Sequence, residues 1–491
     1  MRYFTLIIAL FSFLSAFSQS EKELVMETVK KTVIEGHIYF LADDALNGRE
    51  TGSLENKIAA SYLANTLRGY GVKPIPSTKS YFQEVLLQKV SPPSIFELAI
   101  NGLPVKNKVI IEASAFDFKD DAIYLGHGLE EDYKGKDVRD KLVIVRGGSL
   151  EAKDARGAFR LRKTKMKLAK EAGAKGIVEL IDAKSDMWGF IDHNFNSDRL
   201  EVAAEEEQPI DKGFVYIWLQ DESGSQATSF ENDNKINVRI KMNSKNISSI
   251  SSQNVIGIVE GTDPKLKDEY IIYSAHYDHV GIGTPDVSGD SIYNGARDNA
   301  VGTTTVLSMA ENLAKYPTKR SALFILFTGE EKGLLGSGYY VDHPVLPLNQ
   351  MVYCFNSDNA GYNDTSIATI VGLERTTAAK HIKDAALTFG LRAIDDPAPE
   401  QGLFDRSDNV HFAKKGIPAP TYSLGFTSFD GDVTKYYHRP GDEAQTLDYD
   451  YLYKFFSSYV LAGRLIANDA VTPFWVNDDK YEMAGKKLYN K

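Results

Sequence analysis

The second half of the chain carries apolar runs at 270–274, 323–327, 350–355 and 418–424 that are nearly continuous rather than alternating. A strand with one face in water alternates, whereas a strand covered on both faces does not. Helical periodicity lies between or after these runs, at 299–316, 376–389 and 449–468. Strands alternating with helices predict an α/β fold: a mostly parallel twisted sheet covered by helices on both faces. Ligands of such sheets bind beyond the carboxyl ends of the strands.

Those ends are chemically loaded. Ala275-His276-Tyr277-Asp278 follows the first run, Thr328-Gly329-Glu330-Glu331 the second, and Asn356-Ser357-Asp358 the third. His276 and Asp278 share a face of an extended segment. A carboxylate there can accept the second N–H of a metal-ligating imidazole, so His276 is assigned to metal and Asp278 to its support. Glu330 and Glu331 serve one site only if the chain turns, and Gly329 permits that turn. One carboxylate is then free to shuttle a proton while the other stays ionised. Asp298 lies in a small-residue loop feeding a helix, where it reads either as an N-cap or as a carboxylate bridging two metals. His438 lies in a polar loop before the last helix and says little by itself. Alone, each of these is an ordinary turn, cap or surface pair.

Together and in order they resemble the M28 family of zinc peptidases. Similar motifs are Leu41 through Ser53 (Leu-Ala-Asp-Asp-Ala-Leu-Asn-Gly-Arg-Glu-Thr-Gly-Ser), Ser-Ala-His276-Tyr-Asp278-His-Val-Gly, Gly-Ala-Arg297-Asp298-Asn-Ala, Gly329-Glu330-Glu331-Lys-Gly-Leu-Leu-Gly-Ser, Asn-Ser-Asp358 and Tyr437-His438. The resemblance implies two zinc ions, with manganese or cobalt as substitutes. It places His276 and Asp358 on one ion, Glu331 and His438 on the other, and Asp298 between them. Two divalent ions, three carboxylates and a bridging hydroxide sum to a neutral site. The implied chemistry is peptide hydrolysis at a free N-terminus, with the metals activating a bridging water, Glu330 as general base and Tyr437 at the oxyanion. Two departures stand out. His411 is displaced from the family's Ser-Asp-His pattern and is not assigned. Arg297 puts a cation beside the bridging Asp, where it could favour a substrate carboxylate, which keeps a carboxypeptidase or dipeptidase open. A non-catalytic receptor or a one-zinc glutaminyl cyclase on a related fold fits the full ligand set less well.

The N-terminus has Arg2, an apolar run at 4–17 and a small-x-small step at 16–18. This reads as a secretory signal over 1–18, so the expected location is exported, periplasmic or secreted, with no membrane span remaining. Between Ser91-Pro92-Pro93-Ser94 and the Ser/Asn-rich 244–253, short strands and a basic helix at 161–171 mark an insert at 98–247. It resembles a protease-associated domain through Tyr-Leu-Gly126-His-Gly, Lys-Leu-Val-Ile-Val-Arg146-Gly-Gly and Ala-Gly173-Ala-Lys-Gly-Ile-Val. The peptidase domain is then 19–97 with 248–470, and 471–491 is a C-terminal extension. A net charge of −11 disfavours a nucleic-acid partner and is compatible with peptide substrates. Cys354 is the sole cysteine and reads as a small buried hydrophobe. Trp188, Phe404 and Tyr436 fall near loops that could border the cleft, although each also reads as packing.

Overall fold

The computed structural model describes residues 19–113, 115–203, 213–231 and 235–490. The expected signal at 1–18 lies outside them. No helix among the described residues is long and apolar enough to cross a membrane. The chain divides into two compact units, one containing the stretches that end at Val85 and resume at Ser251, the other Leu86–Ile250. Both divisions fall inside strands, Phe82–Ser91 and Asn246–Val259. The second unit therefore begins earlier than the 98 read from the Pro-Pro junction, because the strand continues to Ser91 before that junction.

The first unit is α/β. Its sheet runs Arg392–Asp395, Ile367–Val371, Thr421–Leu424, Met351–Ser357, Tyr270–His276, Ser321–Phe327 and Asn246–Val259 in spatial order. The four strands from Thr421–Leu424 to Ser321–Phe327 are mutually parallel. The Ile367–Val371 and Asn246–Val259 strands pair with this block antiparallel. Met351–Ser357 and Ser321–Phe327 are buried at every position, as their continuous apolar runs predict. Cys354 is one of these buried residues.

Register aligns the loaded ends. His276 pairs with Phe327, Ser274 with Asn356, and Asn356 with Thr421. His276, the Thr328–Glu331 turn and Asp358 thus leave the same edge of the sheet. Helices cover both faces, with Tyr449–Asn468 and Gly302–Lys315 in one apolar cluster and Asn409–Lys415 in the other. The predicted helix at 299–316 begins only at Gly302, so Asp298 is not its N-cap. Residues 21–41 form two helices, Glu21–Thr28 and Lys31–Leu41. Residues beyond 470 pack on the first unit: Trp475 is 2% exposed and its indole N–H donates to Gly416 O at 2.9 Å.

Among its described residues the second unit has an eight-stranded sheet with two apolar clusters of its own. Strands Leu142–Arg146, Gly176–Ile181 and Val215–Gln220 are parallel, flanked by the helices Ala155–Glu171 and Ser185–Asn196.

His37 gives the first unit a titratable seam. Its ring nitrogens sit 2.7 Å and 2.8 Å from the hydroxyls of Tyr62 and Tyr70. Burial lowers its pKa from 6.5 to about 4. The unfolded chain then takes up a proton below pH 6.5 that the folded chain refuses until about pH 4. This contribution is complete above pH 6.5 and is lost as the pH falls, by roughly 3 kcal/mol at most. Denaturant titrations at pH 7 and pH 4.5 check it: His37→Gln should reduce the acid-induced loss of stability, and an unchanged loss would contradict the assignment.

Candidate metal centre

The turn after the Ser321–Phe327 strand solves a geometric problem. Adjacent residues of a strand point to opposite faces, yet Glu330 and Glu331 both face the cleft. Gly329 takes φ +72°, with Leu335 Cβ only 3.0 Å from where its own Cβ would sit. The Asp278 carboxylate closes the turn by accepting the backbone N–H groups of Glu330 at 3.2 Å and Glu331 at 3.4 Å. It also accepts the Thr51 hydroxyl at 2.7 Å. This differs from the expected imidazole contact. His276 Nδ1 lies 3.2 Å from the Asp278 carbonyl oxygen but 3.8 Å from its carboxylate. The backbone carbonyl orients the ring, which leaves the carboxylate for the turn.

Asp298 sits in the irregular segment Ala296–Val301, and its peptide bond to Asn299 is cis. The loop is tied from two sides. Asp442 accepts the backbone N–H groups of Arg297 and Asp298 at 2.9 Å and 3.2 Å. The Asn299 amide donates to Ser357 O at 2.9 Å and accepts from Gly302 N and Asn359 Nδ2 at 3.0 Å each. Gly302 must be glycine there, because a Cβ would lie 2.2 Å from Asn299 Oδ1 and 2.4 Å from Ser357 O.

Arg49 braces the same region from the N-terminal motif. Its guanidinium is buried and donates to the carbonyls of Tyr277 at 2.9 Å, Asn294 at 2.6 Å, Gly295 at 3.2 Å, and Leu41. Burial pulls its pKa down to about 10 against the opposing pull of Asp278 and Asp298. Neither Arg49 nor Thr51 carries a distinct signal beyond the motif itself.

This frame gathers two groups of donor atoms. One is His276, Asp298 and Asp358; the other is His279, Asp298, Glu331 and His438. Within each group the atoms lie within 4.8 Å of one another, and Asp298 belongs to both. His276 Nε2 is 3.3 Å from Asp298 Oδ1 and 3.2 Å from Asp358 Oδ1. His438 Nε2 is 3.3 Å from Asp298 Oδ2 and 3.0 Å from Glu331 Oε2. Glu330 stands farther off, 4.0 Å from His276 Nε2. His279 was not among the residues read from sequence as ligands. Its Nδ1 is 2.7 Å from Glu331 Oε1, and its position three residues after His276 was the available signal.

His276 Nε2 and Asp358 Oδ1 are within hydrogen-bond geometry, but the second group is close without being hydrogen-bonded. Both ring nitrogens of His279, Glu331 Oε1 and His438 Nε2 are buried without a hydrogen-bond partner among the described residues. Buried polar atoms are normally paired. Lone pairs that converge on common points without bonding one another fit bound cations. Imidazole and carboxylate donors without thiolate suit zinc.

The carboxylates differ in proton affinity. Burial raises the pKa of Glu330 well above the usual range, with the Asp358 and Asp408 carboxylates adding to it. For Glu331, burial is outweighed by the close imidazoles of His279 and His438, which bring it down to about 2. Tyr437 stacks on His438 at 4.0 Å. Burial and the surrounding carboxylates raise its pKa, so its hydroxyl stays a donor.

A cleft opens above the site. Its floor includes His276, Asp298, Glu330, Asp358 and Tyr437, and Val371, Leu403, Phe426 and Phe429 form an apolar wall. Arg297 is absent from this lining. It is 3% exposed, donates to Asp442 at 2.9 Å and lies 3.9 Å above the Tyr436 ring. The cation that does line the cleft is Arg406. Trp188 lies in the other unit, Phe404 packs against Trp475 and Tyr481, and His411 lies against Gly338. None of these lines the cleft.

Residues 254–461 match the model of Peptidase family M28. Among curated proteins, Aminopeptidase YwaD of Bacillus subtilis is 31% identical over 198 residues, 40% of this chain and 40% of its own length. Aminopeptidase Y of Saccharomyces cerevisiae is 24% identical over 238 residues, 45% of this chain and 39% of its own. This chain thus spans about two fifths of the length of these relatives. A solved aminopeptidase from Aneurinibacillus sp. strain AM-1 shares the fold at TM-score 0.59 and 20% identity, covering 92% of this chain and 97% of that one.

Because Asp298 serves both donor groups, Asp298→Ala should abolish stoichiometric metal binding, whereas Asp358→Ala should leave the other group able to hold about one ion. Metal analysis of dialysed protein checks this, and full loading of Asp298→Ala would contradict it.

Proposed function

We propose that this chain is an exported zinc-dependent aminopeptidase. The observation that carries the reading is the double donor cluster sharing Asp298, set at the floor of a cleft that also holds Glu330. His276, Asp358 and Asp298 would hold one ion, and Glu331, His438 and Asp298 the other. Bound there, the ions would polarise the scissile carbonyl and make water nucleophilic near neutral pH. Glu330, raised in pKa and set apart from the donor atoms, would take the proton from the attacking water and return it to the leaving amine. Tyr437 would donate to the oxygen that becomes negative. Asp278 would act by fixing the turn that separates Glu330 from Glu331. A free ammonium suits an acidic floor, and the apolar wall suits an apolar side chain on the N-terminal residue. Both named curated relatives are called aminopeptidases, in agreement with this choice.

The unit Leu86–Ile250 would be the protease-associated domain that its motifs resemble, and residues 1–18 a removed secretory signal.

Arg406 keeps a second reading open, a carboxypeptidase or dipeptidase. It lines the cleft, and a guanidinium there can pair with a substrate carboxylate. A leucyl dipeptide with free ends, its N-acetylated form and its C-amidated form separate the two. An aminopeptidase should lose the N-acetylated substrate and keep the amide; the reverse pattern would give the site to the second reading.

Glu330→Gln should retain its metal while turnover of leucyl p-nitroanilide falls by roughly 100-fold or more. A metal-loaded variant with near-normal turnover would remove Glu330 from its role.

A further inference from the structure

The unit Leu86–Ile250 holds a large concavity of its own, with a volume of about 1020 Å³. That is at the upper end of small-molecule sites. Two helices wall it. Ser185–Asn196 contributes Met187, Phe190, Ile191 and Phe195, the spacing of one helical face. Phe190 is nevertheless 67% exposed and Met187 41%. Ala155–Glu171 contributes Phe159 and Met166, together with Arg156, Arg160 and Lys163. None of these three cations has a carboxylate partner among the described residues.

Charge and polarity in the concavity run against the rest of the chain. Among the described residues, five basic residues and one acid, Glu112, line it, in a protein of net charge −11. Trp218, 1% exposed, also lines it, and its indole N–H meets no acceptor in hydrogen-bond geometry among the described residues. Such a donor asks for an acceptor.

The walls discriminate between anionic ligands. Helices use their own backbone groups internally. The floor strand Val215–Gln220 is already paired on both edges, with Lys108–Ala113 and Gly176–Ile181. An extended peptide lying across that strand would find no ladder of backbone partners there and would bury amides unpaired. An acyl chain carries no such groups and satisfies the apolar stripe.

We propose that this concavity binds a long-chain fatty carboxylate, its chain along Met187, Phe190 and Phe159 and its head on Arg156, Arg160 and Lys163. The site is separate from the metal centre and does not rest on the peptidase reading.

Calorimetric titration of the full chain with monomeric dodecanoate tests it. One saturable site is expected, with dodecanol and acetate each at least ~10-fold weaker. The triple variant R156Q/R160Q/K163Q and the single variant Phe190→Asp should each lose at least ~10-fold in affinity. Both should keep the parent's thermal unfolding and its bound metal. No dodecanoate binding would overturn the proposal, as would equal binding of dodecanol with no effect of the triple variant. Binding only to phosphatidylglycerol vesicles would assign the basic rim to a membrane surface instead. Binding of an acidic peptide but not dodecanoate would assign it to a protein partner. A variant that unfolds is replaced in the comparison by the other.

Discussion

Like-charge crowding at the strand ends is the constraint on which the rest of the first unit depends. Asp298, Glu331 and Asp358 are brought among His276, His279 and His438 with little water to screen them. Three carboxylates in one place, Asp298 buried and Glu331 and Asp358 partly so, repel each other and lose hydration. A folded chain tolerates that only when the frame is rigid and counter-charge is supplied. The frame is visible in Arg49, Asp278, Asn299 and Asp442, each spending its polar atoms on backbone groups of the loops that carry the donors. The counter-charge we propose for these donors is a pair of divalent cations.

Much of this architecture was legible in the sequence. A parallel strand buried on both faces must be apolar throughout, so its end is marked wherever polarity resumes. His276, Glu331 and Asp358 stand at those marks, and register does bring them to one edge. What stayed hidden was non-local bonding. The Asp278 carboxylate was paired with the imidazole two residues away, but its partners are N–H groups 52 and 53 residues on. Arg297 was given to the cleft because of its neighbour Asp298. Its ion pair with Asp442, 145 residues on, buries it beneath the active surface. His279 was overlooked because spacing alone cannot tell which imidazole of a short motif faces a carboxylate on another strand.

Boundaries were hidden for a related reason. A Pro-Pro pair marks where a strand stops, yet packing decides which unit the strand's residues join. The Phe82–Ser91 strand therefore crosses from one unit to the other before any break in composition. Within the second unit, the basic character of Ala155–Glu171 was evident from composition. Its pairing with an exposed apolar face on Ser185–Asn196 was not, since that needs the two helices side by side on one sheet.

Anomalous scattering at the zinc edge, from crystals of the protein grown with zinc, tests the central claim most directly. Two peaks are expected. One should lie within about 2.0–2.2 Å of ligand atoms of His276 and Asp358, the other at that distance from Glu331 and His438, with an Asp298 oxygen on each. A single peak, or two peaks with Asp298 bound to neither, would contradict the shared-carboxylate centre.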